Sequence, residues 1–152
     1  MNSKEKLIKY SAIFFGLGHL PASGTAASIV ALIIYLFIRG NYLCYILATL
    51  LFLLAAFLVS GKAEKLLGKK DSSHIVLDEM AGMFIAFMFL PFKWAYVVSG
   101  FILFRFFDIV KVWPMRKVEA LGGSAGVVLD DVLAALYTNV ILQLLSAANI
   151  LG

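Results

Sequence analysis

The sequence predicts an all-α fold, a small integral-membrane helical bundle of about four to five spans with a broken or re-entrant N-terminal segment. Composition is the first observation: of 152 residues, 62% are apolar and 14% charged. Soluble domains average about 45–50% and about 25%, so there are too few polar side chains here to cover a water-facing surface. The second is patterning, since the apolar residues gather into five runs at roughly 25–38, 42–60, 75–90, 94–110 and 128–149. The third is that neither strand-like alternation nor an internal repeat breaks those runs. One domain, residues 1–152, suits this length.

The N-terminal stretch "MNSKEKLIKYSAIFFGLGHLPASG" has a basic start and a short apolar run, as a signal peptide would. Gly16, Gly18 and His19 interrupt that run and more apolar segments follow, so it reads as a retained part of the chain. Together with Pro21 and Gly24 they prevent one continuous helix into the first run, which makes residues 10–20 a broken lead-in. A crossing needs about 20 residues. The second and fifth runs reach that length; the first, third and fourth are marginal. Cys44, the one cysteine, lies within the second run, where it supports neither a disulfide nor a metal framework. "NYL" after Gly40 and "PFK" at 91–93 read as short turns between antiparallel neighbours.

Charge orients the bundle. Ten of the thirteen basic residues precede the first run or lie between the second and third and between the fourth and fifth. Five alternating spans put all three regions on one side, leaving Arg39 and Lys93 opposite and Arg105 within a helix. The positive-inside rule makes the lysine-rich side cytoplasmic.

Five of the nine acids then fall at that same end. Asp78 and Glu79 open the third span, Asp108 closes the fourth, and Asp130 and Asp131 open the fifth. The segment "HLPASGT" (19–25) belongs to this level too. An ionisable group within a membrane segment costs about 2.5–3.5 kcal/mol and marks a functional site by default. Two carboxylates about 4 Å apart add roughly 4 kcal/mol of repulsion at an effective dielectric of 20. Arg105, Asp108 and Lys111 recur every three residues and share a helix face, but two bases cannot neutralise five acids. Hard oxygen donors without a Cys or His set suit Mg²⁺. Carboxylates mixed with Arg and Lys suit phosphate chemistry.

The loop "ALGGSAGVVLDD" adds Gly122, Gly123 and Gly126 just before a helix, where backbone N–H groups can approach an anion. The plain alternatives are a turn for these glycines, dipole complementation for Asp130 and Asp131, and a structural ion pair for Arg105 and Asp108. His19 is a candidate proton carrier, and His74 a helix cap or interfacial residue.

Taken in order, "LGHLPASGTAAS", "DSSHIVLDEMAGM", "GFILFRFFDIVKVWPMR" and "GGSAGVVLDD" resemble the phosphatidylglycerophosphatase A family, over about Phe14 to Leu136. The resemblance implies a bacterial multi-pass inner-membrane enzyme with its site on the cytoplasmic side. It would be Mg²⁺-dependent and would hydrolyse the terminal phosphate of phosphatidylglycerol phosphate to give phosphatidylglycerol. Carried over by motif, it implies functional roles for Thr25, Asp78, Glu79, Arg105, Asp108, Lys111, Asp130 and Asp131. Joined to the reading of the residues, the five acids are expected as catalytic groups and metal ligands. Thr25, Arg105, Lys111 and Gly123 are expected on the substrate phosphate. The departures are Ser23-Gly24-Thr25 where the family usually has Pro-Gly-Thr, Ala27-Ser28 for Gly-Ser, and Lys111-Val112 for Lys-Pro. They bear on loop stiffness and leave the charged set intact.

The expected partners are that phospholipid and the bilayer, with no nucleic acid. The rival reading is a small cation- or proton-coupled transporter or channel using the same acids. A pathway needs polar groups along the whole membrane depth, whereas "YILATLLFLLAAFLV" is almost featureless. Lipid phosphoalcohol transfer also uses clustered acids, but its spaced Asp-Gly…Ala-Arg pattern is absent from the sequence.

Overall fold

A computed structural model describes residues 20, 22–67 and 75–150. The expected broken lead-in (10–20) lies almost wholly outside this range, as do His19 and His74. Six helices make up the described residues: α1 Ser23–Ile38, α2 Tyr42–Leu67, α3 Leu77–Ala86, α4 Trp94–Val110, α5 Met115–Glu119 and α6 Gly123–Ala147. No strand occurs among them. The fold is all-α, as the apolar runs predict. In α2 and α6, Tyr42–Ala63 and Gly123–Ala147 are long and apolar enough to cross a membrane.

α2 shows how the chain is partitioned. Leu43, Leu47, Leu50, Leu51, Leu54 and Leu58 form an exposed stripe, while Tyr45, Thr49, Ala56, Ser60 and Ala63 point inward and are buried. Small and hydroxyl-bearing residues inside with large aliphatics outside is the pattern of helices packing in lipid, where close backbone approach replaces the hydrophobic drive. Water would not tolerate so continuous an apolar face. The inward hydroxyls of Ser28, Thr49 and Thr138 bond to backbone oxygens four residues earlier, so none needs water.

Two boundaries depart from expectation. The third run was expected over 75–90, yet α3 ends at Ala86 after ten residues. At 1.5 Å per residue that is about 15 Å, half a bilayer core. α3 is therefore a half-helix, buried at eight of its positions and packed against α1, α2, α4 and α6. The fifth run was expected from 128, yet α6 begins at Gly123. Asp130 and Asp131 thus lie two turns inside α6 and do not open it. α5 has no counterpart among the apolar runs because it is a single polar turn.

A half-helix ending inside a bundle leaves carbonyls that water cannot reach, and α6 supplies the donors. Asn139 Nδ2 reaches Ala86 O at 3.0 Å and Met88 O at 2.8 Å, with Ile85 O at 3.4 Å. Gln143 Nε2 donates to Met88 O at 3.2 Å, and the Tyr45 hydroxyl donates to Phe84 O. Lower down, close approach is set by glycines: a Cβ at Gly82 would lie 2.7 Å from the Phe104 ring, and one at Gly100 would lie 2.5 Å from the Phe87 ring. At the end of the bundle where α3 stops, Arg39, Tyr42, Phe89 and Phe92 line one hollow, which places the α1–α2 and α3–α4 turns together. The start of α3 and the end of α4 therefore share the opposite end.

Replacing Asn139 with Leu strands the α3 carbonyls. It is expected to cost about 1–3 kcal/mol, read as a lowered unfolding midpoint in detergent.

Candidate active site

At that opposite end five helices converge, because the bundle alternates direction. α1, α3 and α6 bring their N-terminal portions and α2 and α4 their C-terminal ones. Two contacts fix the convergence. A Cβ at Gly24 would lie 2.5 Å from Glu79 Oε1 and 3.0 Å from Arg105 Nη1, so α1 touches both side chains through bare backbone. Across the bundle, Gly61 N donates to Ser124 Oγ at 3.0 Å, binding α2 to the start of α6.

Asp78, Glu79 and Asp131 form the centre. Each offers one carboxylate oxygen, and these oxygens all lie within 4.8 Å of one another. Asp78 and Asp131 are buried and Glu79 is nearly so. Asp78 and Glu79 occupy the first turn of α3, where the helix dipole favours negative charge. Asp131 has no such support. No acid lies in the first turn of α6, and the dipole's influence fades beyond the first turn. Dipole complementation, one plain alternative for Asp130 and Asp131, is thereby removed.

Asp108 and Asp130 stand beside this trio, and Asp131 interacts with both. Each is held by a base. Arg105 Nη1 lies 2.6 Å from Asp108 Oδ2, and Lys111 Nζ lies 2.7 Å from Asp130 Oδ2. Lys111 also pairs with Glu119 at 3.2 Å, a partner that sequence reasoning did not single out. The expectation that Lys111 shares a face with Arg105 and Asp108 is modified here. Lys111 closes α4 in the left-handed conformation (φ 48), which costs a residue bearing a Cβ about 1–2 kcal/mol. Its ammonium is turned toward α5 and α6 instead.

With those bases engaged, no ion pair reaches Asp78, Glu79 or Asp131 among the described residues. At 4.8 Å two carboxylates repel by roughly 3–4 kcal/mol even at an effective dielectric of about 20. Glu79 Oε2 is buried without a hydrogen-bond partner, and so is Arg105 Nε. Three hard oxygen donors with a surplus of negative charge and an unused lone pair fit a hard divalent cation. The residues present therefore suit a metal.

The remaining expected residues are placed less centrally. Thr25 follows Gly24 in the first turn of α1 and is half-buried. Gly123 opens α6 with φ +62, and a Cβ there would meet no other part of the protein within 4 Å. Gly126 has a packing role, since a Cβ there would lie 2.7 Å from Glu119 O. The missed contributor is Gly24. Its signal in the sequence was a glycine where the chain otherwise begins a helix, but only the tertiary contact with Glu79 and Arg105 shows its purpose.

Gly24→Ala improves helix propensity by up to about 1 kcal/mol while forcing the Glu79 carboxylate aside. Activity is expected to fall by up to roughly 100-fold, the change that a positional shift of about 1 Å can bring, with unfolding stability unchanged or raised. Activity and thermal midpoint measured on one preparation check this.

Comparison with known proteins shows what the chain is similar to. A sequence profile of the phosphatidylglycerophosphatase A family matches residues 10–146. A Bacteroides thetaiotaomicron protein, provisionally named a phosphatidylinositol-3-phosphatase, is 39% identical over 84% of this chain and 86% of its own. The phosphatidylglycerophosphatases A of Haemophilus influenzae and Escherichia coli are 38% and 33% identical, over 86% and 84% of this chain and 83% and 76% of theirs. No solved structure matches the chain. On the extent of that match, the chain belongs to the phosphatidylglycerophosphatase A family and is a phosphatase.

Proposed function

We propose that the protein hydrolyses the terminal phosphate of phosphatidylglycerol phosphate, releasing phosphatidylglycerol and inorganic phosphate, with Mg²⁺ held by Asp78, Glu79 and Asp131. The observation that carries this is the uncompensated trio of carboxylates, all within 4.8 Å, set beside two basic side chains. When bound, a divalent cation would polarise the phosphoryl oxygens and lower the pKa of a bound water.

The chain's own residues do the rest. Arg105 and Lys111, held by Asp108 and Asp130, present cationic N–H groups to the phosphoryl oxygens, whose charge grows in the transition state. Arg105 has a further buried nitrogen, Nε, with no protein acceptor. The Thr25 hydroxyl and the Gly123 backbone N–H donate hydrogen bonds at the rim. A carboxylate of the cluster takes the proton of the attacking water as the water oxygen bonds to phosphorus. The P–O bond to glycerol breaks, and the glycerol oxygen receives that proton from the carboxylate and leaves as a hydroxyl.

The site faces the cytoplasm in this reading. Lys62 and Lys65 of α2, and Lys111, Arg116 and Lys117 around α5, lie at its end of the bundle, against Arg39 and Lys93 at the other. Helices α1, α2, α4 and α6 cross the inner membrane, and α3 enters it from the cytoplasmic side. An ion pathway is disfavoured because the polar residues Asn139 and Gln143 toward the far end are committed to capping α3.

Phosphate release from phosphatidylglycerol phosphate in detergent micelles tests this. Activity should require Mg²⁺ and vanish with a chelator. Losing a residue that merely supports a metal ligand costs about 10–100-fold, so Asp131→Asn should lose more than roughly 100-fold and require more Mg²⁺. Undiminished hydrolysis by Asp131→Asn, or full activity in chelator, would remove the metal from the acid cluster.

A further inference from the structure

Apart from Lys111, the cation-lined hollow between α4 and α5 is not used by the hydrolysis described above. Val110, Lys111, Val112, Trp113, Pro114, Arg116 and Lys117 line an open hollow of about 350 Å³ there. Three features make it a built feature of the fold. Its wall is tied down: Tyr137 of α6 donates to Trp113 O at 3.0 Å, and Met115 is fully buried. Its charge is uncompensated, because neither Arg116 nor Lys117 forms an ion pair with a carboxylate among the described residues. Arg116 Nη2 makes one long contact, 3.4 Å to Val110 O, and Lys117 Nζ lies 5.9 Å from the Trp113 ring. Finally, it is joined to the active site through Lys111, which lines the hollow while its ammonium binds Asp130.

The surroundings also indicate depth. Trp113, Ile109 and Leu121 are strongly exposed at this level, and an exposed tryptophan beside lysine and arginine is the signature of the headgroup layer.

We propose that this hollow binds the phosphodiester of the substrate lipid, with Arg116 and Lys117 as specificity-determining residues. This rests on the phosphatase reading of the acid cluster. The substrate carries two phosphates one glycerol unit apart, and a protein that hydrolyses the outer one must place the inner one. The acid cluster repels an unreactive phosphodiester, whereas Arg116 and Lys117 attract it next door. Anchoring it there would align the terminal phosphate at Arg105 and Lys111. It would also discriminate against phosphomonoesters that lack the second anion.

The test uses a Trp94→Phe background, so that Trp113 is the one fluorophore of its kind, in neutral detergent micelles that carry no surface charge of their own. Short-chain phosphatidylglycerol, which has the diester and no monoester, should shift Trp113 emission in the parent, and Arg116→Gln/Lys117→Gln should lose that shift. Inorganic phosphate should produce no shift in either. In turnover of short-chain phosphatidylglycerol phosphate, the double variant should raise KM by roughly tenfold or more, the value of a lost charged hydrogen bond, with kcat within about twofold. Inhibition by orthovanadate, a mimic of the terminal phosphate, should be unchanged.

An unaltered KM and emission response in the double variant would overturn the proposal. So would an equal loss of vanadate affinity, which would put both cations on the reacting phosphate. A shift produced equally by free phosphate would make the hollow a general anion site. Absence of turnover in the parent with the emission response intact would instead sink the phosphatase reading and leave the diester site standing.

Discussion

Repulsion among Asp78, Glu79 and Asp131 is the constraint on which the rest of the molecule depends. Inside a helical bundle faced with leucine, three carboxylates within 4.8 Å cannot be relieved by solvent. Two local bases are already committed to Asp108 and Asp130. The cluster is therefore an electrostatic load that the folded protein carries, of a kind that a cation would relieve. Such a load persists only if packing elsewhere over-determines the positions of the three side chains.

That packing is visible in α3. α3 carries two acids at its start and stops after ten residues inside the bundle. The cost is a set of orphaned carbonyls in a dry interior, and α6 removes it with Asn139 and Gln143 while α2 contributes Tyr45. Site and cap are thus two ends of one element. The same helix, α6, supplies Asp131 to the first and Asn139 to the second, which couples the geometry of the acid cluster to bundle integrity.

Lys111 joins three helices. Its left-handed backbone ends α4 and sends the chain into the turn that carries Trp113, Arg116 and Lys117, while its ammonium stays with Asp130 and Glu119. A residue strained at a functional site is tolerated where neighbours hold it, and here three helices do so.

The sequence by itself determined the all-α class, the positions of the apolar runs, and the convergence of five acids at one end. Those follow from composition, from period, and from the alternation of direction that short turns impose. The ordered motifs also resemble one family, to which the chain belongs, and that resemblance carried the phosphatase reading. Only the tertiary structure decided which three acids form the centre and which two are paired with bases. It alone showed that Asp130 and Asp131 sit inside α6, that Gly24 must lack a side chain, and that Glu119 and Asn139 matter. The physical reason is the same throughout: these facts are distances between residues far apart in the chain. Hydropathy and spacing report the face and the level of a residue, and carry no information about which neighbour arrives within 3 Å.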